Sequence, residues 1–172
     1  AGGNSTNIDF ITVDTTGNAS DFGDLTTTFW INKCSASRVR GLIHGDRPDT
    51  TNIDFITIAQ KGNAQDFGDM TAAREDPAGV SNGTRAVFGG GYVEQSAPYL
   101  RDVMDYVEIA ESANAVDFGN LSNASRVTAS VNSSTRGVFG LAHPGAGNIL
   151  DFITISTTGN ITDFGDRIVA SD

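Results

Sequence analysis

The chain is short of several residue types. Among 172 residues there are one cysteine, one tryptophan, two histidines and four prolines, and 11 Lys and Arg stand against 21 Asp and Glu, for a formal charge of −10. The lone Cys34 excludes a disulfide within the chain and a thiolate metal cluster built by one subunit, so stability has to come from packing. The acidic balance removes the electrostatic footprint that grips phosphate backbones, and nucleic acid is not an expected partner. No apolar run approaches the roughly 18 residues of a membrane span, and the opening Ala1-Gly2-Gly3-Asn4-Ser5-Thr6 has neither a basic nor an apolar stretch, so no membrane insertion is expected.

What the chain has in quantity is glycine, 20 residues, with frequent Ser, Thr and Asn. That composition implies many short elements joined by turns, an all-β class. It also has a repeat. Asn7-Ile8-Asp9-Phe10-Ile11-Thr12-Val13 returns as Asn52-Ile53-Asp54-Phe55-Ile56-Thr57-Ile58, as Met104-Asp105-Tyr106-Val107-Glu108-Ile109 and as Leu150-Asp151-Phe152-Ile153-Thr154-Ile155, with aspartates 45, 51 and 46 positions apart. An Asp-Phe-Gly triplet keeps step at Asp21, Asp66, Asp117 and Asp163, followed by Asp24, Asp69, Asn120 and Asp166. A third element opens at Arg38, Arg85 and Arg136, and Ala1-Gly2-Gly3 reads as the tail of a fourth copy. The units lie near residues 1–37, 38–84, 85–135 and 136–172, the outer two broken at the termini.

The Ile-Asp-Phe-Ile-Thr-Val segment is apolar on both faces, so it needs cover on both faces and the sheets should stack. Thr15-Thr16-Gly17-Asn18 and Ser156-Thr157-Thr158-Gly159-Asn160 supply turn residues, which makes the Asp-Phe-Gly segment the return arm of a hairpin. The Val-Phe-Gly-Gly strand has little side-chain volume and suits a crowded inner rim. Repeats of this length with several strands fit propeller blades.

The best copy, Val87-Phe88-Gly89-Gly90, Tyr106, Phe118 and Arg136, resembles the kelch repeat of β-propellers, with Phe where kelch units usually carry Trp. The phrasing of Thr135 to Gly140, followed by Asp-Phe-Ile-Thr-Ile-Ser-Thr-Thr-Gly-Asn and Asp-Phe-Gly-Asp, resembles repeats of virion structural and tail-fibre-type proteins of marine tailed phages, particularly cyanophages. The resemblance implies a virion location and a structural or host-contacting role, with other virion proteins and a host surface glycan or receptor as partners. The broken outer units are expected to join each other in a closed ring or to be completed by adjoining chains, another copy among them, or by missing sequence.

Asp-Phe-Gly is also the magnesium-binding triplet of protein kinases, but it occurs there once, beside a glycine loop, a strand lysine and a His-Arg-Asp loop that this chain lacks. Here Phe22, Phe67, Phe118 and Phe164 are expected as aromatic anchors between sheets. The flanking acids Asp21, Asp24, Asp66, Asp69, Asp163 and Asp166, with nearby asparagines, are weak calcium candidates, because hard oxygens recur at short spacing without a dense Asp-x-Asp-x-Asp run. Pairing with the recurring Arg38, Arg85 and Arg136 competes with that reading, as does ordinary turn chemistry. No cofactor is expected. His44 and His143 lie at different offsets with no recurring partner, and Cys34, beside Trp30 and Ile31, is expected to fill core. Asn82-Gly83-Thr84 and Asn123-Ala124-Ser125 match a glycosylation pattern, as composition alone would produce.

One place breaks the period. Arg85 to Asp105 spans 20 positions, against 16 from Arg38 to Asp54 and 15 from Arg136 to Asp151. The extra residues hold Tyr92, Glu94, Tyr99 and Arg101, a composition suited to protein contact or sugar stacking and the candidate ligand-binding loop. No catalytic residue is assigned and the chain is read as a non-enzyme. The alternative is a phage tail enzyme acting on surface polysaccharide, which would need two carboxylates set apart from the repeat, with Glu75, Asp76, Glu94, Asp102, Glu108 and Glu111 as the unique acids. A generic kelch-type interaction scaffold is the third reading.

Overall fold

The computed structural model describes residues 5–29, 33–45, 49–142 and 147–168. These form fourteen strands in four antiparallel sheets and no helix, the all-β class expected from composition. The first sheet pairs β1 (Ser5–Phe10) with β2 (Ser20–Phe29). The second runs β3 (Lys33–Ala36), β4 (Arg40–His44), β5 (Thr50–Thr57), β6 (Gln65–Arg74); the third β7 (Ala78–Ser81), β8 (Arg85–Gly89), β9 (Val103–Glu108), β10 (Val116–Asn120); the fourth β11 (Arg126–Asn132), β12 (Arg136–Ala142), β13 (Ile149–Thr154), β14 (Thr162–Asp166). Each four-stranded sheet is a meander in chain order. The readings placed on Ala1 to Gly3, Trp30, Ile31, His143 and Val169 to Asp172 lie outside the described residues.

The Asp-Phe-Gly segment is the return arm of a hairpin in all four copies. The ladder is not regular there. Ile53 faces Gly68 and Asp54 faces Asp66, which leaves Phe67 as an extra residue, and Phe22, Phe118 and Phe164 are skipped in the same way. The triplet is therefore a β-bulge. Its glycines have φ of +152° at Gly23, +141° at Gly68 and Gly119, and +135° at Gly165, a region side chains disfavour. The bulged Phe lies edge-on to the aromatic of the partner strand: Phe10–Phe22, Phe55–Phe67, Tyr106–Phe118 and Phe152–Phe164 have centroids 6.0–6.2 Å apart. The aromatic pairs thus lock the two arms of each hairpin, and Phe55, Phe67 and Phe118 also pack between sheets as expected. They become core when the next sheet closes over them, as Phe55 and Phe67 do with Ala86, Phe88, Val107 and Ile109.

Two fastenings join each sheet to the next, and a third is added between the second and third sheets and between the third and fourth. In the first, the turn of one hairpin docks on the bulge of the sheet before it. Gly62 and Ala64 donate to the carbonyls of Phe22 and Asp24 (2.8 and 2.7 Å), and the Asn63 side-chain oxygen accepts the Asp24 N–H at 3.1 Å. Asn114 and Ala115 repeat this on Asp69, and Gly159, Asn160 and Ile161 on Phe118 and Asn120. A Cβ on Gly23, Gly68 or Gly119 would overlap the carbonyl of Gly62, Ala113 or Gly159, so glycine is needed there for space as well as conformation.

The second fastening is the aspartate of the Ile-Asp-Phe strand, buried and clasping a hydroxyl on the preceding sheet. Asp54 accepts the Thr26 N–H and hydroxyl (2.9 and 2.7 Å), Asp105 those of Thr71, and Asp151 the hydroxyl of Ser122. The third is an arginine that stacks on its own sheet's aromatic and reaches forward. Arg40 lies over Phe55 and donates to the Ile109 carbonyl at 3.0 Å, and Arg85 lies over Tyr106 and donates to the Ile155 carbonyl at 3.5 Å. The recurring arginine of the second sheet is therefore Arg40, whose register matches Arg85 and Arg136, while Arg38 is exposed in the β3–β4 turn.

The strand nearest the neighbouring sheets is also not the expected one. β7 lies between β3 and β11, with Ser81 Oγ donating to the Ala36 carbonyl at 2.6 Å and Ser130 Oγ to the Gly79 carbonyl at 2.8 Å. A Cβ on Gly79 would overlap the Ser35 hydroxyl and crowd His44. The Val-Phe-Gly strand is one place further out, and small residues in the unrecognised first strand permit the close approach. In β3, Ser35 takes the buried position and Cys34 points outward, exposed, so it does not fill core.

Candidate contact surface

The long loop between β8 and β9 is ordered by backbone pairing. Glu75 and Tyr92 exchange both N–H···O bonds at 2.8 Å, Val93 donates to Tyr99 at 2.7 Å, and Gly91, Arg101 and Ser125 bond in a cycle. This folds 92–101 into a small hairpin that stacks the Tyr92 and Tyr99 rings, centroids 6.1 Å apart and 23° from parallel. Tyr99 is 51% exposed. Arg101 donates to the Pro98 carbonyl and so stiffens the tip, and the Glu94 N–H donates to the Asp49 carboxylate at 3.1 Å.

The loop rests on a charged foundation that sequence reading did not find. The Arg126 guanidinium lies 3.8 Å from the Tyr92 ring centroid and 3.1 Å from Glu75 Oε1. Below them Arg74 and Asp105 form a fully buried ion pair at 2.8 Å. Arg74 and Glu75 come from the end of the second sheet, Asp105 and the tyrosines from the third, and Arg126 from the fourth. Four candidate residues are thus brought to one surface, with Asp49, Glu75 and Arg126 added by tertiary structure. Glu75 stood out in the sequence as one of the acids outside the repeat, but no spacing signals Asp49 or Arg126.

The calcium candidates are dispersed over four hairpins. Asp66 and Asp163 accept the N–H of their own Gly68 and Gly165, Asp24 and Asp69 accept the hydroxyls of Thr6 and Thr51, and Asp21 and Asp166 are exposed. The neighbouring Asn63 oxygen is committed to a backbone N–H. Among the described residues no three of His, Cys, Asp and Glu are grouped to hold a metal. Of the unique acids, Glu108 pairs with Arg85 at 2.6 Å and Asp76 with Lys33 at 3.7 Å, leaving Asp102 and Glu111 exposed.

His44 ends β4 fully buried, its ring 4.0 Å from that of Phe88. Burial first, then the positive charges of Arg74 and Lys33, lower its pKa to about 3, so it is a neutral core residue. At the opposite end of the strands from the long loop, a groove of about 700 Å³ runs between the β3–β4 and β7–β8 turns, lined by Ser37, Arg38, Asn82, Thr84 and Ile109. Two of its side-chain oxygens are spent on their own turns: Ser37 accepts from Val39 and Arg40, and Asn82 from Thr84 and Arg85. Compared with known proteins, the chain matches no protein-family model and no curated protein.

Proposed function

We propose that this chain is a non-enzymatic structural and adhesive module of a phage particle, built from kelch-like propeller-type repeats and making its contacts through surface loops. The observation that carries the reading is a division of labour. The recurring aspartates and arginines are used in joints between sheets, whereas the insertion in the third sheet presents a stacked tyrosine pair with an arginine behind it. Flat aromatic faces bordered by charge suit sugar rings or a partner protein, and many weak copies on one particle would act by avidity. The resemblance of the repeat's phrasing to virion repeats supports a location on the particle.

The test combines immunogold labelling of purified particles with binding of the protein to host-surface polysaccharide. Tyr99→Ala is expected to weaken binding roughly tenfold or more with an unchanged unfolding midpoint. Absence from the particle removes the virion reading, and shortening of the polysaccharide by the wild-type protein replaces adhesion with the enzyme alternative.

A further inference from the structure

The three internal joints repeat one design, and each half of that design is left over at one end of the stack. At the start, Gly17-Asn18-Ala19 stand where Gly62-Asn63-Ala64 and Gly159-Asn160-Ile161 stand in the docked turns, but Ala19 is exposed where Ala64 is buried and Ile161 half-buried. On the same face Val13, the counterpart of the fully buried Ile155, is 90% exposed. At the other end, the position of a Cβ on Gly165 has none of the described residues within 4 Å, where Gly23, Gly68 and Gly119 each meet the next turn. Phe164 beside it is 55% exposed, against 2% for Phe118.

We infer that the chain associates head to tail with a second copy of itself, the Gly17-Asn18 turn of one copy docking on the Asp163-Phe164-Gly165-Asp166 bulge of the next. The register of the internal joints specifies the contacts. Gly17 and Ala19 donate to the carbonyls of Phe164 and Asp166, the Asn18 oxygen accepts the Asp166 N–H, and Phe164 and Val13 become buried. Arg136, stacked on Phe152 as Arg40 and Arg85 are on their aromatics, is placed to reach the Val13 carbonyl.

A second copy is the fitting occupant because the two surfaces are the halves of an interface this chain already makes three times. The complementarity lies in backbone groups and register, which another copy supplies. One fastening is incomplete: Ile168 stands where Thr26, Thr71 and Ser122 give a hydroxyl, so Asp9 receives a backbone N–H alone. The intermolecular joint is therefore weaker than the internal ones and reversible. Being heterologous, it builds rings or open strings rather than a two-fold dimer. This inference stands on the joints and is independent of the virion reading.

Sedimentation velocity of residues 1–172 across a dilution series tests it. Wild type is expected to form concentration-dependent oligomers. Asn18→Ala, and separately Gly165→Ala, should each weaken association about tenfold. Phe164→Lys leaves the backbone unchanged and should act like Gly165→Ala, guarding against a folding defect in the latter. An equimolar mixture of Asn18→Ala and Gly165→Ala proteins should dimerise more tightly than either protein alone, because one retains its bulge and the other its turn. A wild-type protein monomeric at every concentration overturns the inference, and so does a mixture that associates no better than its components.

Discussion

Phe118 and Phe164 occupy the same place in successive copies of one motif. Both are bulged, both follow an aspartate, and both lie edge-on to an aromatic about 6 Å away, yet the first is buried and the second more than half exposed. The same contrast separates Ile155 from Val13 and Asp54 from Asp9. The local structure of the repeat is thus complete within one hairpin, while its burial depends on the neighbour. The interior of the stack and its two ends are chemically alike and energetically different.

The comparison can be broken most strongly by charging the interior. His44 is neutral in the fold, with a pKa of about 3, and takes a proton near 6.5 when unfolded. Between those values the unfolded chain binds more protons, so His44 contributes a loss of stability as pH falls, roughly 5 kcal/mol by pH 3. Denaturant midpoints measured from pH 7 to 4 should fall less steeply for His44→Leu than for wild type. Asp151 acts in the opposite sense. Its burial raises its pKa, so its contribution is favourable at low pH and declines as pH rises through the raised value.

A paired substitution sharpens the contrast directly. Phe67→Ala removes a ring packed under the third sheet and should cost about 3–5 kcal/mol, whereas Phe164→Ala should cost about 1 kcal/mol or less in dilute solution. Equal losses from urea melts of the two variants would show that the end is covered. The smallest expected effect concerns the clasp. Asp54→Asn forfeits part of a buried bonding site for Thr26 and should cost about 1–2 kcal/mol, while Asp9→Asn should stay within about 0.5 kcal/mol.

Much of the architecture was legible because it is local. Composition, turn residues and a fourfold motif identified the hairpins and the all-β class, and the period break pointed to the loop that carries Tyr92 and Tyr99. Three features escaped. The bulge was read as plain strand, since register is a property of two segments. The first strand of each four-stranded sheet, Lys33–Ala36, Ala78–Ser81 and Arg126–Asn132, has no residue type common to all three copies by position, so it carries no motif. Arg38 was aligned in place of Arg40, an ambiguity of two positions that pairing with Thr57 resolves.

From its residues alone the chain determined that it pleats into repeated hairpins with Asp, Phe and Gly at their bends. Tertiary structure decided what those residues are for. A glycine becomes a docking floor, an aspartate a clasp and an arginine a strut only when another sheet lies against them, because a hydrogen bond or a buried ring needs a partner that sequence distance does not locate.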